Sequence, residues 1–200
     1  MVSTASLRAT TAAEVFDEVG WVGTGLAVVG IGLALMHGVS PDSEWTTLLG
    51  GFLVAGIGIG ITNPGIGQAA IAVVPVEKSG MGSGINTTFR QVGIATGVAG
   101  LGAVFQSRVD SKLSELLPHA PAGLGELVAS GGSRAAAAVT PPAIRPQVVH
   151  AADVAFVSGF NEILLIGAIL SFVGAALGFA LVRSSDFVQS TEAVPEPAAA

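Results

Sequence analysis

The stretch that decides the fold is Thr46–Arg108. It reads TTLLGGFLVAGIGIGITNPGIGQAAIAVV over 46–74, PVEK over 75–78 and SGMGSGINTTFRQVGIATGVAGLGAVFQSR over 79–108. Thr46 to Val74 carries no charged residue and is longer than the ~20 apolar residues that cross a bilayer. A short charged turn, Pro75 to Gly80 with Glu77 and Lys78, separates it from a second apolar span, Ser79 to Ser107. That second span holds one charge, Arg90, among Asn86, Thr87, Thr88 and Gln91. A guanidinium at bilayer depth costs about 2.5–3.5 kcal/mol even on the lenient insertion scale, so it is expected to face protein or an aqueous path. Two spans joined by a tight polar turn predict an all-α, multi-pass integral membrane protein.

Composition agrees. The 200 residues are 50% hydrophobic and 11% charged, with a mean hydropathy of +0.72, whereas soluble domains carry about 25% charged residues. The 28 glycines and 10 prolines suit membrane helices, where small residues let backbones approach. With no cysteine, disulfide frameworks and thiolate metal sites are excluded. His37, His119 and His150 lie far apart and give no metal-ligand spacing. No nucleophile–base pair or phosphate loop points to an enzyme, no cofactor is implied, and nothing basic and aromatic suggests nucleic acid. The net charge of −6 lies mostly outside the apolar spans.

Outward from the central stretch, four spans are expected, at about 20–39, 46–74, 79–107 and 160–182. Residues 1–19 are a polar lead-in expected to be disordered and cytoplasmic. They lack the order of a signal peptide. In the first span Gly23, Ala27, Gly30 and Ala34 form a small-residue stripe suited to close packing, and Trp21 and Trp45 stand where interfacial anchors belong. His37, at the far end, reads as a solvated boundary residue rather than a proton carrier. The 40–44 loop, acidic and without Lys or Arg, is expected outside, which puts the 75–80 turn in the cytoplasm. In the second span Gly56, Gly60 and Pro64 share a row with Gln68. The glycine pair predicts helix packing and the proline a kink near Gly60. Asn63 and Gln68 either hydrogen-bond to neighbouring helices or line a transport path. In the third span Asn86, Arg90, Gly93 and Gly97 share a face, so that face is expected to be buried against another helix. Arg90 is then either a clamp or snorkelling cation, or a group bordering a substrate or proton route. Residues 108–153 form a long extracytoplasmic loop with one or two short amphipathic helices on the membrane (Leu113, Leu116, Leu117, Leu124, Leu127, Val128). Arg108 and Lys112 run against the positive-inside rule there. The last span carries a second packing pair, Gly174 and Gly178, and 184–200 cannot bury a core and are expected to be disordered.

The block from Pro75 to Ala99, with Pro75, the Glu77-Lys78 pair, Gly80-x-x-Ser83-Gly84, a Thr-rich turn, Arg90-Gln91 and Gly93-x-x-x-Gly97, resembles the penultimate-helix region of major facilitator superfamily transporters. The branch it is most similar to is the fourteen-helix drug:proton antiporters of the EmrB/QacA type. The preceding Gly56-x-Gly58-x-Gly60-x-x-x-Pro64, the long outer loop and the final helix fit as well. The resemblance implies the C-terminal part of a major facilitator fold in the cell (inner) membrane. It implies multidrug efflux of hydrophobic or cationic small molecules by antiport against protons, and hence multidrug resistance. Asn86, Arg90, Gln91, Asn63 and Gln68 become candidates for the transport path or gate. None of the four apolar cores contains Asp, Glu or Lys, and arginine does not release its proton. The chain is therefore expected to be a truncated or partial product, unable to transport alone, whose partners are the lipid bilayer and the missing N-terminal helices or another copy. The alternative is a self-contained four-helix membrane protein with a binding or assembly role.

Overall fold

The computed structural model describes residues 4–72, 74–118 and 123–181. They form five α-helices: α1 (Thr4–Met36), α2 (Thr46–Ala72), α3 (Ser79–Leu116), α4 (Leu124–Val139) and α5 (Arg145–Leu181), with one 3-10 turn, Val76–Lys78, ahead of α3. No described residue lies in a strand. Three stretches, Thr46–Gly67, Ser79–Leu116 and Arg145–Ala180, are long and apolar enough to cross a membrane, and Gly20–Met36 is a shorter apolar helix. The chain is an all-α membrane protein. Residues 4–19, expected as a disordered lead-in, continue α1 as helix. The 184–200 tail and His119 lie outside the described residues.

α1 lies between α2 and α5. One face of α1, Gly25, Val29, Gly32 and Met36, meets α2 at Gly51, Ala55, Gly58 and Thr62. The backbones come so close that a Cβ built on Gly58 would stand 2.7 Å from both the Gly25 carbonyl oxygen and the Val29 nitrogen. Glycine on both helices is what permits this crossing, since any larger residue would force the axes apart. Thr62 is buried there and satisfies its hydroxyl by donating to the Gly58 carbonyl at 2.8 Å. The other face of α1 receives α5. Phe172 lies over Gly30 and Phe179 over Gly23, while Leu26 and Leu33 of α1 sit over Gly174 and Gly167. Each aromatic ring fills the space left by a missing side chain. The small-residue stripe of α1 is thus divided: Gly23 and Gly30 meet α5, and Ala34 is exposed.

At 38 and 37 residues, α3 and α5 are each about 55 Å long, well beyond a ~30 Å hydrocarbon core. Their excess lies at one end, where α4 packs across them. The interval expected to be an extended loop with helices on the membrane surface is therefore a folded cap. Val109 and Leu113 of α3, Leu124, Val128 and Ala136 of α4, and Val148, Ala152 and Ala155 of α5 form a buried cluster. The edge-on pair Phe105–Phe156, 5.2 Å between centroids, closes it on the membrane side. The apolar positions of α4 turn inward because two helices are available to bury them, which a membrane surface would do less completely. The helix bends at Gly132, whose φ of +62° and ψ of −157° lie in a region essentially restricted to glycine.

Candidate functional site

The sequence places its polar group on the α3 span, and the structure keeps that group together but uncovered. Asn86 is half-buried, and Arg90 and Gln91 are exposed. Two of their polar neighbours are already committed: Thr87 and Thr88 donate their hydroxyls to the carbonyls of Ser83 at 2.9 Å and Gly84 at 3.0 Å. This turning back onto the preceding turn is how threonine satisfies itself in an apolar helix. Within this group the donors left uncommitted are the Arg90 guanidinium and the amides of Asn86 and Gln91. The expected burial of this face within the chain is not observed. Gly93 and Gly97 have nothing within 4 Å of a built Cβ, and Phe89, Val92 and Val98 are exposed as well.

The other sequence-predicted residues are placed as follows. Asn63 is exposed on α2 and makes no hydrogen bond to the α3 group among the described residues. The side chain of Gln68 lies outside the described residues. Gly56, Gly60 and Pro64 occupy the exposed side of α2, and the glycines have nothing within 4 Å of a built Cβ. The crossing with α1 uses the neighbouring row, Gly51–Ala55–Gly58–Thr62. α2 remains helical through Pro64. Gly174 and Gly178 lie against α1, with Gly178 3.7 Å from the Gly23 Cα.

A second polar group sits where the spans meet the cap. The Asn161 side chain of α5 accepts from the backbone N–H of Gly38 at 3.0 Å and of Val39 at 3.1 Å, and donates to the Val39 carbonyl at 2.8 Å. These bonds hold the chain just past the end of α1, at Gly38 and Val39, where Gly38 turns it away with φ +92°. One turn away, Arg108 of α3 reaches Ser158 at 3.3 Å and Glu162 at 3.7 Å on α5. Farther into the cap, Lys112 donates to Glu115 at 2.9 Å. That hydrogen bond first, and then the charges of Lys112 and Arg108, hold the Glu115 carboxyl below the ordinary value. In the sequence Asn161 and Glu162 stand just ahead of the uncharged run that begins at Ile163. An amide at the head of a long apolar run was the available signal, and it named no partner.

Among the described residues no His/Cys/Asp/Glu cluster could hold a metal. Long apolar helices crossing at glycines, with a polar group at mid-span and a folded cap at one end, define a polytopic membrane protein. Comparison with known proteins narrows this. No family model and no solved structure matches the chain. It is similar to the "Multidrug efflux pump LfrA" of Mycolicibacterium smegmatis, 29% identical over 174 residues that make up 86% of this chain and 34% of that protein. It also matches a "Probable triacylglyceride transporter" of Mycobacterium leprae, 31% identical over 75% of the chain and 26% of that protein. A third match is "MFS transporter L2" of a Phoma species, 34% identical over 46% of the chain and 15% of that protein. The chain is a relative of the efflux-type transporters of the major facilitator superfamily, and it spans about a third or less of their length.

Proposed function

We propose that this chain forms the C-terminal helices of an efflux transporter of the major facilitator type. In this reading it sits in the cell (inner) membrane and exports hydrophobic or cationic small molecules in exchange for protons. The observation that carries the reading is the alignment of 86% of the chain with a multidrug efflux pump. The uncommitted Asn86–Arg90–Gln91 group, set in an otherwise uncharged span, supports it. In this role α1, α2 and α5 form a rigid block held by glycine crossings, α3 presents the polar group to the rest of the transporter, and the cap closes the outer end. No Asp or Glu lies in the uncharged cores of the spans, and Glu162 stands at the edge of the last one, beside Arg108. The group that carries the proton therefore belongs to helices outside this stretch, since coupling requires a titratable side chain within the membrane.

The test is ethidium efflux from cells with and without the gene that encodes this sequence, in the presence and absence of a protonophore. Slower efflux on deletion, and loss of the difference on collapse of the proton gradient, are the expected results. Equal efflux from both strains, for ethidium and for a neutral dye, refutes the proposal.

A further inference from the structure

Resting on the transporter reading, we infer that the Arg90 face of α3 is the docking surface for another transmembrane helix, one that brings an Asp or Glu to the depth of Arg90. Arg90 stands eleven residues into α3, about 16 Å from its start and about 27 Å from Arg108 at 1.5 Å per residue. That is close to the middle of the spanning part. Both ion pairs among the described residues, Arg108–Glu162 and Lys112–Glu115, belong to the cap or its border. Neither involves Arg90. A guanidinium left alone at that depth is strongly unfavourable, and the stable arrangements pair it with an anion whose remaining hydrogen bonds are also met. The means to meet them are present. Arg90 offers five N–H donors and Asn86 lies one turn before it on the same face, while the Thr87 and Thr88 hydroxyls are already engaged with backbone.

The same face is shaped for a helix. Asn86, Arg90, Gly93, Ile94, Gly97 and Leu101 fall on one side of α3 by the 3.6-residue period, and nothing lies within 4 Å of a built Cβ at Gly93, Gly97 or Gly100. A second copy of the chain does not supply the missing charge. No Asp or Glu occurs between Ser79 and Arg108 or in α2, and the carboxylates of α5 are Asp153 in the cap and Glu162 at the head of the span, where it faces Arg108, so apposing two α3 helices sets Arg90 against Arg90. The efflux pump it aligns with has further chain outside the matched third, and such chain is the source of the occupant.

The experiment uses membranes of cells that make the protein from its own gene. The sequence has no cysteine of its own, so single spin labels at Ile94→Cys and Leu101→Cys report the Arg90 face and one at Val92→Cys reports the opposite face. The expected result is that 94 and 101 are shielded from both oxygen and a water-soluble nickel complex, while 92 is open to oxygen. In parallel, Arg90→Met should lower the steady-state amount severalfold by leaving a carboxylate unpaired, and Arg90→Lys should retain it. Oxygen accessibility at 94 and 101 equal to that at 92, with Arg90→Met at the normal level, means a cation snorkelling in lipid and overturns the inference. Nickel accessibility at 94 means that the face lines water and overturns it too. If 94 and 101 are shielded while dye efflux is independent of the gene, the docking stands and the transport function falls.

Discussion

The α1–α2 crossing gives the sharpest prediction, because two glycines two residues apart on the same helix are expected to behave oppositely. At Gly58 a Cβ would lie 2.7 Å from the Gly25 carbonyl oxygen and the Val29 nitrogen, both backbone atoms that cannot rotate away. At Gly60 it meets nothing within 4 Å. Restoring an ordinary contact at Gly58, from 2.7 Å out to 3.4 Å, opens the crossing by about 0.7 Å. A gap of that size forfeits a quarter to a half of the dispersion well for each atom pair along the seam. Gly32 against Ala55, the next tight point, loosens with it. Overpacking of this kind costs about 1–3 kcal/mol. Both substitutions to alanine also gain the ~0.5–1 kcal/mol of helix preference, and this common term cancels in the comparison. Gly58→Ala is therefore expected to be less stable than Gly60→Ala by about 1–3 kcal/mol. Reversible unfolding by SDS in mixed micelles measures this, with the fluorescence of Trp21 and Trp45 as reporter, since Trp21 lies in α1 and Trp45 directly precedes α2. If the two variants unfold at the same SDS fraction, or if Gly60→Ala is the weaker, α2 does not meet α1 through Gly58 and the helix order is wrong.

Three further outcomes follow from the other end of the molecule. Asn161→Leu removes all three hydrogen bonds to Gly38 and Val39 and should cost about 1–3 kcal/mol. Faster amide hydrogen exchange at those two residues, with little change at Gly58, is the readout. Leu113→Ala, at a site 2% exposed in the cap, should cost about 2–5 kcal/mol. Limited proteolysis should then cut between 109 and 155 while the spans survive. Lys112→Ala should raise the Glu115 pKa toward the ordinary value, because the ammonium is the first cause of its lowering. A depressed carboxyl adds stability above its unfolded pKa and loses it as pH falls through the folded one. For a pair this exposed the effect on the unfolding midpoint should be too small to detect, and NMR titration of Glu115 is the measurement.

The spans were legible because a bilayer imposes a one-dimensional rule. A run without charge that is long enough has few alternatives, and Thr46–Val74 satisfies the rule without ambiguity. The faces were harder. In a soluble helix the polar side marks the outside, but α2 is apolar all round and carries glycine at 50, 51, 56, 58, 60, 65 and 67, so every side offers a close approach. The Gly56–Gly60 pair fits the familiar spacing, yet the seam with α1 uses Gly51, Ala55 and Gly58. Only the partner, with Gly25 and Gly32 in matching positions, selects between the two rows, and a single helix pattern does not contain that information. The cap could have been read further. Phe105, Val109 and Leu113 continue the helical period past the end of the span, as do Val148, Ala152, Ala155 and Gly159 before the start of the last one. Treating Arg108 as a boundary hid both extensions.

The two glycine rows of α2 bear on what the unpartnered surfaces mean. A face that packs inside the chain is recognised by its match to a neighbour, as Gly58 matches Gly25. The Gly56–Gly60–Pro64 side and the Asn86–Arg90–Gly93–Gly97 face have no match among the described residues. For the first, lipid is an adequate neighbour, since that side carries the neutral amides Asn63 and Gln68 but no charge. For the second it is not, because lipid offers Arg90 no anion at that depth. Of two surfaces with the same glycine spacing, charge alone therefore marks α3 as the one that a protein helix must cover.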